Sequence, residues 1–398
     1  MTRPLDIQRI IDALRSVLPS GDGPYELHEP WFGGNEWDYV KECLDTGWVS
    51  SVGKFVDRFE QDLAEYTGVR RAVAVVNGTA ALHVCLLLAG VAPGDEVMVP
   101  ALTFVASANA VRYCDAVPHF IDSEEATLGV DPGKLDAYLR DIGNVKQEGC
   151  FNRLTGRRIK AVVPMHTFGH PVELDQLADV CRRHRVELVE DAAESMGSFY
   201  KGRHTGNWGR TAALSFNGNK TITTGGGGAI LTNDEQIGKH AKHLTTTARL
   251  PHKWAIAHDE VGFNYRLPNI NAALGCAQLE KLPFFIERKR ALADGYRNAF
   301  EPLSGVSFVS EPMNARSNYW LNALLLDEDC ASDRDRLLEL TNAVGIKTRP
   351  SWTLMHKLRM YRECPRMDLS CAESLESRLV NIPSSPFITQ NDHCNAGF

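Results

Sequence analysis

Three features of the chain predict an α/β fold built on a mostly parallel sheet. Between about residues 72 and 191, short strand-like apolar runs alternate with stretches of helix length. Polar, glycine-punctuated segments separate them. The last of these runs, Val186 to Val189, delivers an acidic pair, Glu190 and Asp191, to the carboxyl end of a buried strand, where open α/β sheets bind their ligands.

Taken in order, residues 1–30 read as an N-terminal arm, with one short amphipathic helix in MTRPLDIQRIIDALRSVLP and the loop PSGDGPYELHEP. FGGNEWDYVKECLDTG reads as a helix capped near Asn35 and stopped at Gly47. FVDRFEQDLAEYTG follows, with Phe55, Phe59, Leu63 and Tyr66 at helical spacing. Strand Ala72 to Val76 then leads into helix Thr79 to Ala89, and Glu96 to Val99 into Phe104 to Tyr113. Pro118 to Ile121 leads into Asp131 to Leu139, and Ile159 to Pro164 into Leu174 to His184. The polar stretch from about 140 to 158 breaks this rhythm, and its composition reads as a solvated insertion rather than a flap over a substrate. Beyond Leu231 a long helix is expected from about Asn271 to Phe300. Strands near Val306, Tyr319 to Leu325 and Ile346, with helices near Arg334 to Ala343 and Ala372 to Leu379, then suggest a smaller α+β unit. The expected division is an arm (1–30), a large domain (31–270) and a small C-terminal domain (271–398).

Composition narrows the function. With 398 residues and 43% hydrophobic content the chain can bury a large core. A formal charge of -7, a pI near 6.0 and the absence of a basic block argue against nucleic-acid binding. No run of 18 apolar residues exists, so no membrane span is expected. The ten cysteines are scattered without a C-x-x-C pair and read as reduced thiols of a cytoplasmic protein.

The chemistry concentrates between Val186 and Leu231. After Asp191 the chain makes a polar excursion, returns through Ala212 to Phe216 and reaches Lys220, followed by small residues and Gly225 to Gly228. One carboxylate and one lysine on a rigid α/β scaffold are what pyridoxal 5'-phosphate (PLP) requires. The lysine forms a Schiff base with its aldehyde, and the carboxylate pairs with its ring nitrogen. An opposite charge within a few ångströms favours the protonated ring, which is the electron sink.

EDAAES, SFNGNK and TTGGGGAI also resemble the active-site signature of the fold-type I, aspartate-aminotransferase-like sugar-nucleotide aminotransferases of the DegT type. HEPWFGGNEWDYV, GWVSSVGKFVDRFE, NGTAALH, LTFVASANA, PMHTFGH, DEVGFNYRLPNINAALG and VNIPSSP extend the likeness over nearly the whole chain. SFNGNK and HTFGH are most similar to the branch that makes 4-amino sugars for legionaminic-acid-type nonulosonates. The resemblance implies a transaminase of a nucleotide-linked 4-keto-6-deoxyhexose, 2-acetamido-substituted, with L-glutamate as amino donor; perosamine- or bacillosamine-type amination is the alternative.

Residue by residue, the resemblance makes Lys220 the Schiff-base lysine and proton carrier and Asp191 the ring-nitrogen partner, although Asp191 would equally cap a following helix. Glu194 stands beside the phenolic oxygen of the cofactor, where a buried carboxyl kept neutral can donate a hydrogen bond. Gly78 and Thr79 open a helix directly after a strand, an ordinary turn or a phosphate site at the positive helix end. Ser215 adds a hydroxyl to that phosphate, and Asn264 reaches the phosphate of the neighbouring subunit, which implies a homodimer with shared sites. Phe104 matches the aromatic that stacks on the pyridine ring. His166 reads as lining the cofactor pocket. Trp48, Arg249, Trp254, His356 and Tyr361 fall in loops that the resemblance places around the substrate cleft; each would equally be a structural residue.

Other chemistries fail on spacing. No G-x-G-x-x-G joins a strand to a helix, and Asn219-Lys220-Thr221 lacks the glycine before lysine that a phosphate-binding P-loop demands. His166 and His170 have no helix to align them, so no zinc site is expected there. Sugar dehydratases of the same scaffold carry histidine where Lys220 stands. A catalytically silent PLP-binding regulator would need a further binding module, and no basic helix-turn-helix is visible.

Overall fold

Successive residues of a strand face opposite sides of its sheet, so a strand that is apolar throughout needs cover on both faces. The computed structural model, which describes residues 5–21 and 23–388, shows how that cover is built. Helices α1 (Ile7–Val17), α2 (Glu36–Thr46) and α3 (Lys54–Thr67) precede the first strand. Then follow β1 (Arg71–Val75), α4 (Gly78–Leu88), β2 (Glu96–Pro100), α5 (Val105–Tyr113), β3 (Val117–Ile121) and α6 (Pro132–Ile142). Next come β4 (Gly143–Lys146), β5 (Gly149–Asn152), β6 (Arg158–Val162), α7 (Leu174–His184), β7 (Glu187–Asp191), β8 (Phe199–Tyr200), β9 (Arg203–His204), β10 (Thr211–Ser215) and β11 (Gly228–Thr232).

The main sheet runs β1-β11-β10-β7-β6-β2-β3. From β10 to β3 all neighbours are parallel, while β11 runs antiparallel to both β10 and β1. The sheet is thus mixed and mostly parallel, as the strand–helix alternation predicts. Val73 and Val75 join a core with α4 and α5, whereas Ala72 and Ala74 join one with α3 on the other face. Met98, Ile121 and Leu188 pack with α6 and α7 in a further cluster.

After α8 (Glu235–Thr245) comes the 32-residue α9 (Asn269–Phe300), so the expected division near residue 270 falls at its start. Its first half packs in the core with Phe55 and Phe59 of α3, and its second half, through Leu292, Tyr296 and Phe300, packs with α1. The remaining elements are β12 (Val306–Phe308), β13 (Ala315–Arg316), β14 (Asn322–Leu326), α10 (Arg334–Ala343), β15 (Arg349–Pro350), α11 (Ser370–Arg378) and β16 (Leu379–Ile382). Four of the strands form an antiparallel sheet in the order β12-β14-β16-β15, while β13 pairs with β8.

The 140–158 segment is not the solvated loop its composition suggests. It forms the β4–β5 hairpin, and β5 pairs antiparallel with β6 through Cys150↔Ile159 and Phe151↔Arg158. Its polar residues serve a buried carboxylate: Asn152 Nδ2 and Thr155 Oγ1 donate to Glu96 at 2.8 and 2.6 Å, and His119 Nδ1 meets the same group at 2.9 Å. A hairpin with one solvated face has few apolar positions, which hid it from pattern reading.

The start of α4 is pressed against β11. A Cβ on Gly228 would stand 2.5 Å from the carbonyl carbon of Asn77 and 2.7 Å from the amide nitrogen of Gly78, both backbone atoms that cannot yield. Gly228→Ala is expected to cost about 1–3 kcal/mol in urea unfolding. Gly226→Ala, where a Cβ meets nothing within 4 Å, should leave stability within about 0.5 kcal/mol.

Candidate active site

Because β7 is parallel to β10, with Asp191 opposite Ala213, the carboxyl ends of the two strands leave the sheet at the same edge. The acidic pair divides there. Glu190 turns toward the 206–209 loop, accepting from the amides of Gly206, Trp208 and Gly209 at 2.7 Å each and meeting His166 Nε2 at 3.2 Å. Burial alone would raise its carboxyl, but the His166 contact and the backbone amides outweigh it and hold Glu190 below the ordinary range. Asp191 is also buried. Ser107 Oγ donates to its Oδ2 at 2.7 Å and the Ala193 amide to its Oδ1 at 3.2 Å.

From Ser215 the chain enters the loop that carries Lys220 and returns as β11, with Ser215 paired opposite Gly228. The loop is closed by Lys220 N donating to Asn217 O and Thr224 N to Phe216 O, both at 3.0 Å. Lys220 Nζ lies 3.2 Å from Glu194 Oε1 and 3.7 Å from the centroid of the Trp320 ring. The second oxygen of Glu194 accepts from the Phe168 amide at 3.0 Å. Burial pushes the Glu194 carboxyl up, opposed by the Lys220 charge and the Phe168 amide. The net shift is upward, the direction of the neutral form expected from its place in the sequence.

These groups enclose a cavity of about 310 Å³. Asn77, Gly78, Thr79, Phe104, Asp191, Glu194, Ser215 and Lys220 all line it. Gly78 begins α4 and Asn77 caps it, its Oδ1 accepting from the Ala80 amide at 2.8 Å. A Cβ on Gly78 would lie 2.8 Å from Ser215 Cβ, so only glycine lets the helix start approach that hydroxyl. The result is a cradle of amides and hydroxyls at a positive helix end, suited to a phosphate. Lys220 and Asp191 supply the amine and the acid for the other end of the same small molecule. The residues present therefore fit PLP: Gly78, Thr79 and Ser215 would hold its phosphate, Asp191 its ring nitrogen and Lys220 its aldehyde.

With this geometry in hand, residues 32–395 match the DegT/DnrJ/EryC1/StrS aminotransferase family. The chain belongs to that family. It is 38% identical over 368 residues to a GDP-perosamine synthase of Caulobacter vibrioides, covering 91% of this chain and 94% of that protein. It is 37% identical over 365 residues to a GDP-perosamine synthase of Escherichia coli O157:H7, covering 91% and 94%. Among solved structures, TlmJ from Streptoalloteichus hindustanus superposes with a TM-score of 0.82 at 28% identity, covering 92% of this chain and 95% of that one. DesI, solved in the presence of its TDP-sugar product, superposes with a TM-score of 0.82 at 28% identity, covering 94% and 91%. As a DegT-type protein, the chain is a PLP-dependent aminotransferase with the aspartate-aminotransferase-like fold. Among the described residues no helix is long and apolar enough to cross a membrane.

Several residues expected around the cavity stand elsewhere. Met165, not His166, lines it; His166 is fully buried against Glu190 because adjacent residues project to opposite sides. Tyr361 is 2% exposed, its ring 5.9 Å from Phe120 and its hydroxyl donating to Asn109, so it is a core residue. His356 pairs with Glu373 at 3.2 Å on the far side of its short helical turn. Trp48 lines a separate hollow with Val52, Phe55 and Asn269. Arg249 and Trp254 lie on the exposed loop after α8 and do not line the cavity, nor does Asn264, whose Oδ1 accepts from Arg266 Nη2 at 2.9 Å.

Conversely, Trp320, Arg349 and Trp352 line the cavity unannounced by any motif. Trp320 Nε1 donates to Asn219 O at 2.7 Å and so fixes both its own ring and the lysine loop. Asn318 ties the two ends together, its Nδ2 donating to Glu194 O at 2.9 Å and to Thr221 Oγ1 at 3.2 Å.

Glu194 carries a measurable consequence in the cofactor-free chain. Its folded-state value is raised, so the stability it contributes is complete below the unfolded carboxyl range and is lost as pH rises through the raised value. Glu194→Gln cannot ionise and removes that loss. Relative to the parent, the variant should gain about 1–3 kcal/mol across that window, read from urea unfolding at a series of pH values.

Proposed function

We propose that this aminotransferase converts a nucleotide-linked 4-keto-6-deoxyhexose into its 4-amino sugar, with L-glutamate as donor, in the cytoplasm. The observation that carries the reading is the convergence of Lys220, Glu194 and Asp191 on one cavity in a chain whose relatives are named for making GDP-perosamine. Bound PLP supplies an aldehyde for the amine and a ring that accepts the electrons released when the amino carbon loses its proton.

The chain's own groups do the rest. Lys220 Nζ would accept that proton and return it to the carbon on the other side of the nitrogen, a task for an amine held at the cavity over Trp320. Asp191, held by Ser107 and the Ala193 amide, keeps the ring nitrogen protonated. Glu194 would stand beside the phenolic oxygen, the place that the family likeness gives it. Arg349 meets the donor: it lines the same cavity as Lys220 and Glu194, and its Nε is buried without a hydrogen-bond partner. A planar cation beside the reacting amine matches the α-carboxylate, one bond from the carbon that reacts.

Two sugar classes compete. SFNGNK and HTFGH support a 2-acetamido substrate of the legionaminic-acid type, and the named relatives support a perosamine-type substrate. Assaying 4-keto-6-deoxyhexoses on GDP, UDP and dTDP, with a 2-hydroxyl or a 2-acetamido group, decides between them; turnover of none overturns the reading. The active unit we infer is a homodimer in which Asn264 serves the neighbour's phosphate, supported by its exposed position outside its own cavity.

Lys220→Ala should abolish turnover, by at least about 10³-fold, in a coupled 2-oxoglutarate assay. Arg349→Gln should raise KM for glutamate about tenfold or more, the loss of one charged hydrogen-bonding partner, while the keto-sugar half-reaction changes little in single-turnover absorbance measurements.

A further inference from the structure

Away from the cofactor cavity, four metal-ligating side chains meet between α8 and the loop that follows it. His240 and His243 stand three apart on α8 and so share a face. The chain then loops out and returns through Asp259 and Glu260. His243 Nε2 lies 2.7 Å from Asp259 Oδ1 and 3.6 Å from Glu260 Oε1, and one ligand atom from each of the three falls within 4.8 Å of the others. His240 Nε2 contacts the two Glu260 oxygens at 2.9 and 3.1 Å.

We propose that His243, Asp259 and Glu260 bind one divalent transition-metal ion of the zinc class, with His240 holding the Glu260 carboxylate. Bonds of 2.0–2.2 Å in a tetrahedral site place ligand atoms about 3.4 Å apart, and the observed separations of 2.7 and 3.6 Å bracket that spacing. One imidazole nitrogen and two carboxylates suit zinc, cobalt or nickel better than calcium or magnesium, which prefer oxygen alone. A dication there balances the two carboxylates, Asp259 and Glu260, at once. The fourth position is left to water. A hydrogen bond from a neighbouring side chain to a ligating carboxylate, the part given to His240, is the usual support of such a site.

The ligands belong to two segments, so the ion pins the loop to the helix. Within the loop, Leu250 N donates to Ala257 O at 2.9 Å and His258 Nδ1 meets Thr247 O at 2.7 Å. It carries Arg249, and Asn264 follows it.

The test uses the PLP-loaded full chain, stripped with a chelator and titrated with Zn²⁺ by calorimetry. One ion per chain is expected, with affinity falling at least tenfold in His243→Ala and in Asp259→Asn and unchanged in His252→Ala. Added Zn²⁺ should also slow amide exchange over residues 249–262 in the parent and not in His243→Ala. The absence of saturable binding, binding that both variants leave within twofold, or exchange that the ion does not slow each overturns the proposal. Unchanged melting curves and PLP absorbance in the variants exclude unfolding as the cause, and none of these readouts depends on which sugar the enzyme aminates.

Discussion

The parallel pairing of β7 with β10 is the constraint on which the site depends. A parallel pair sends both chains out at the same edge of the sheet, so the residue that ends one strand and the loop that follows the other must share a space. Asp191 ends β7, and Ser215 ends β10 five residues before Lys220. Had β10 run antiparallel, its carboxyl end would have emerged at the opposite edge, with the lysine loop far from the acid. The antiparallel β11 then brings Gly228 back beside Asn77 and Gly78, and so draws the start of α4 onto Ser215. One pairing direction thus assembles amine, acid and phosphate cradle.

Charge balance follows from that crowding. Two carboxyls, an amine and a guanidinium border a cavity of about 310 Å³, and water cannot screen them as it does at a surface. The structure meets the cost differently at each. Asp191 accepts two hydrogen bonds, from Ser107 Oγ and the Ala193 amide. Burial pushes the Glu194 carboxyl up against the pull of the lysine and its one amide donor. Lys220 has the face of Trp320, an interaction worth about 0.5–2 kcal/mol for a cation over an aromatic ring. Only Arg349 keeps a buried donor without a partner, and burial lowers its affinity for a proton. An unmatched cation at the reactive end is a standing demand for an anion.

What could be read from the sequence tracks how local the cause is. Helix α7 and the strand before Asp191 follow from periodicity, since apolar spacing is set by the element itself. Gly78, Thr79, Asp191, Ser215 and Lys220 sit on strand ends or the turns after them, where chain order and family likeness agree. The β4–β5 hairpin was illegible because its polar side chains satisfy Glu96, a buried partner more than forty residues away that no local pattern reveals. His166 was misplaced by one residue for a related reason: proximity along the chain put it near the site, but its partner is the buried Glu190, and its neighbour Met165 lines the cavity instead.

The residues that escaped altogether, Trp320, Arg349 and Trp352, share a physical origin. They come from the last third of the chain, near the antiparallel sheet that α9 joins to the main one, and reach the cavity only through tertiary packing. The residues that fit the cofactor therefore lie at the sheet edge, fixed by strand direction, whereas Trp320, Arg349 and Trp352 reach the same cavity from the far end of the sequence. A sheet edge cannot change without unseating β7, β10 and β11 together, but Arg349 and Trp352 lie in or beside the two-residue strand β15. Substitutions there can alter which amine donor or keto-sugar is accepted while Asp191, Ser215 and Lys220 stay in register. Rigid chemistry at the sheet edge and adjustable recognition beside it are thereby separable within one cavity.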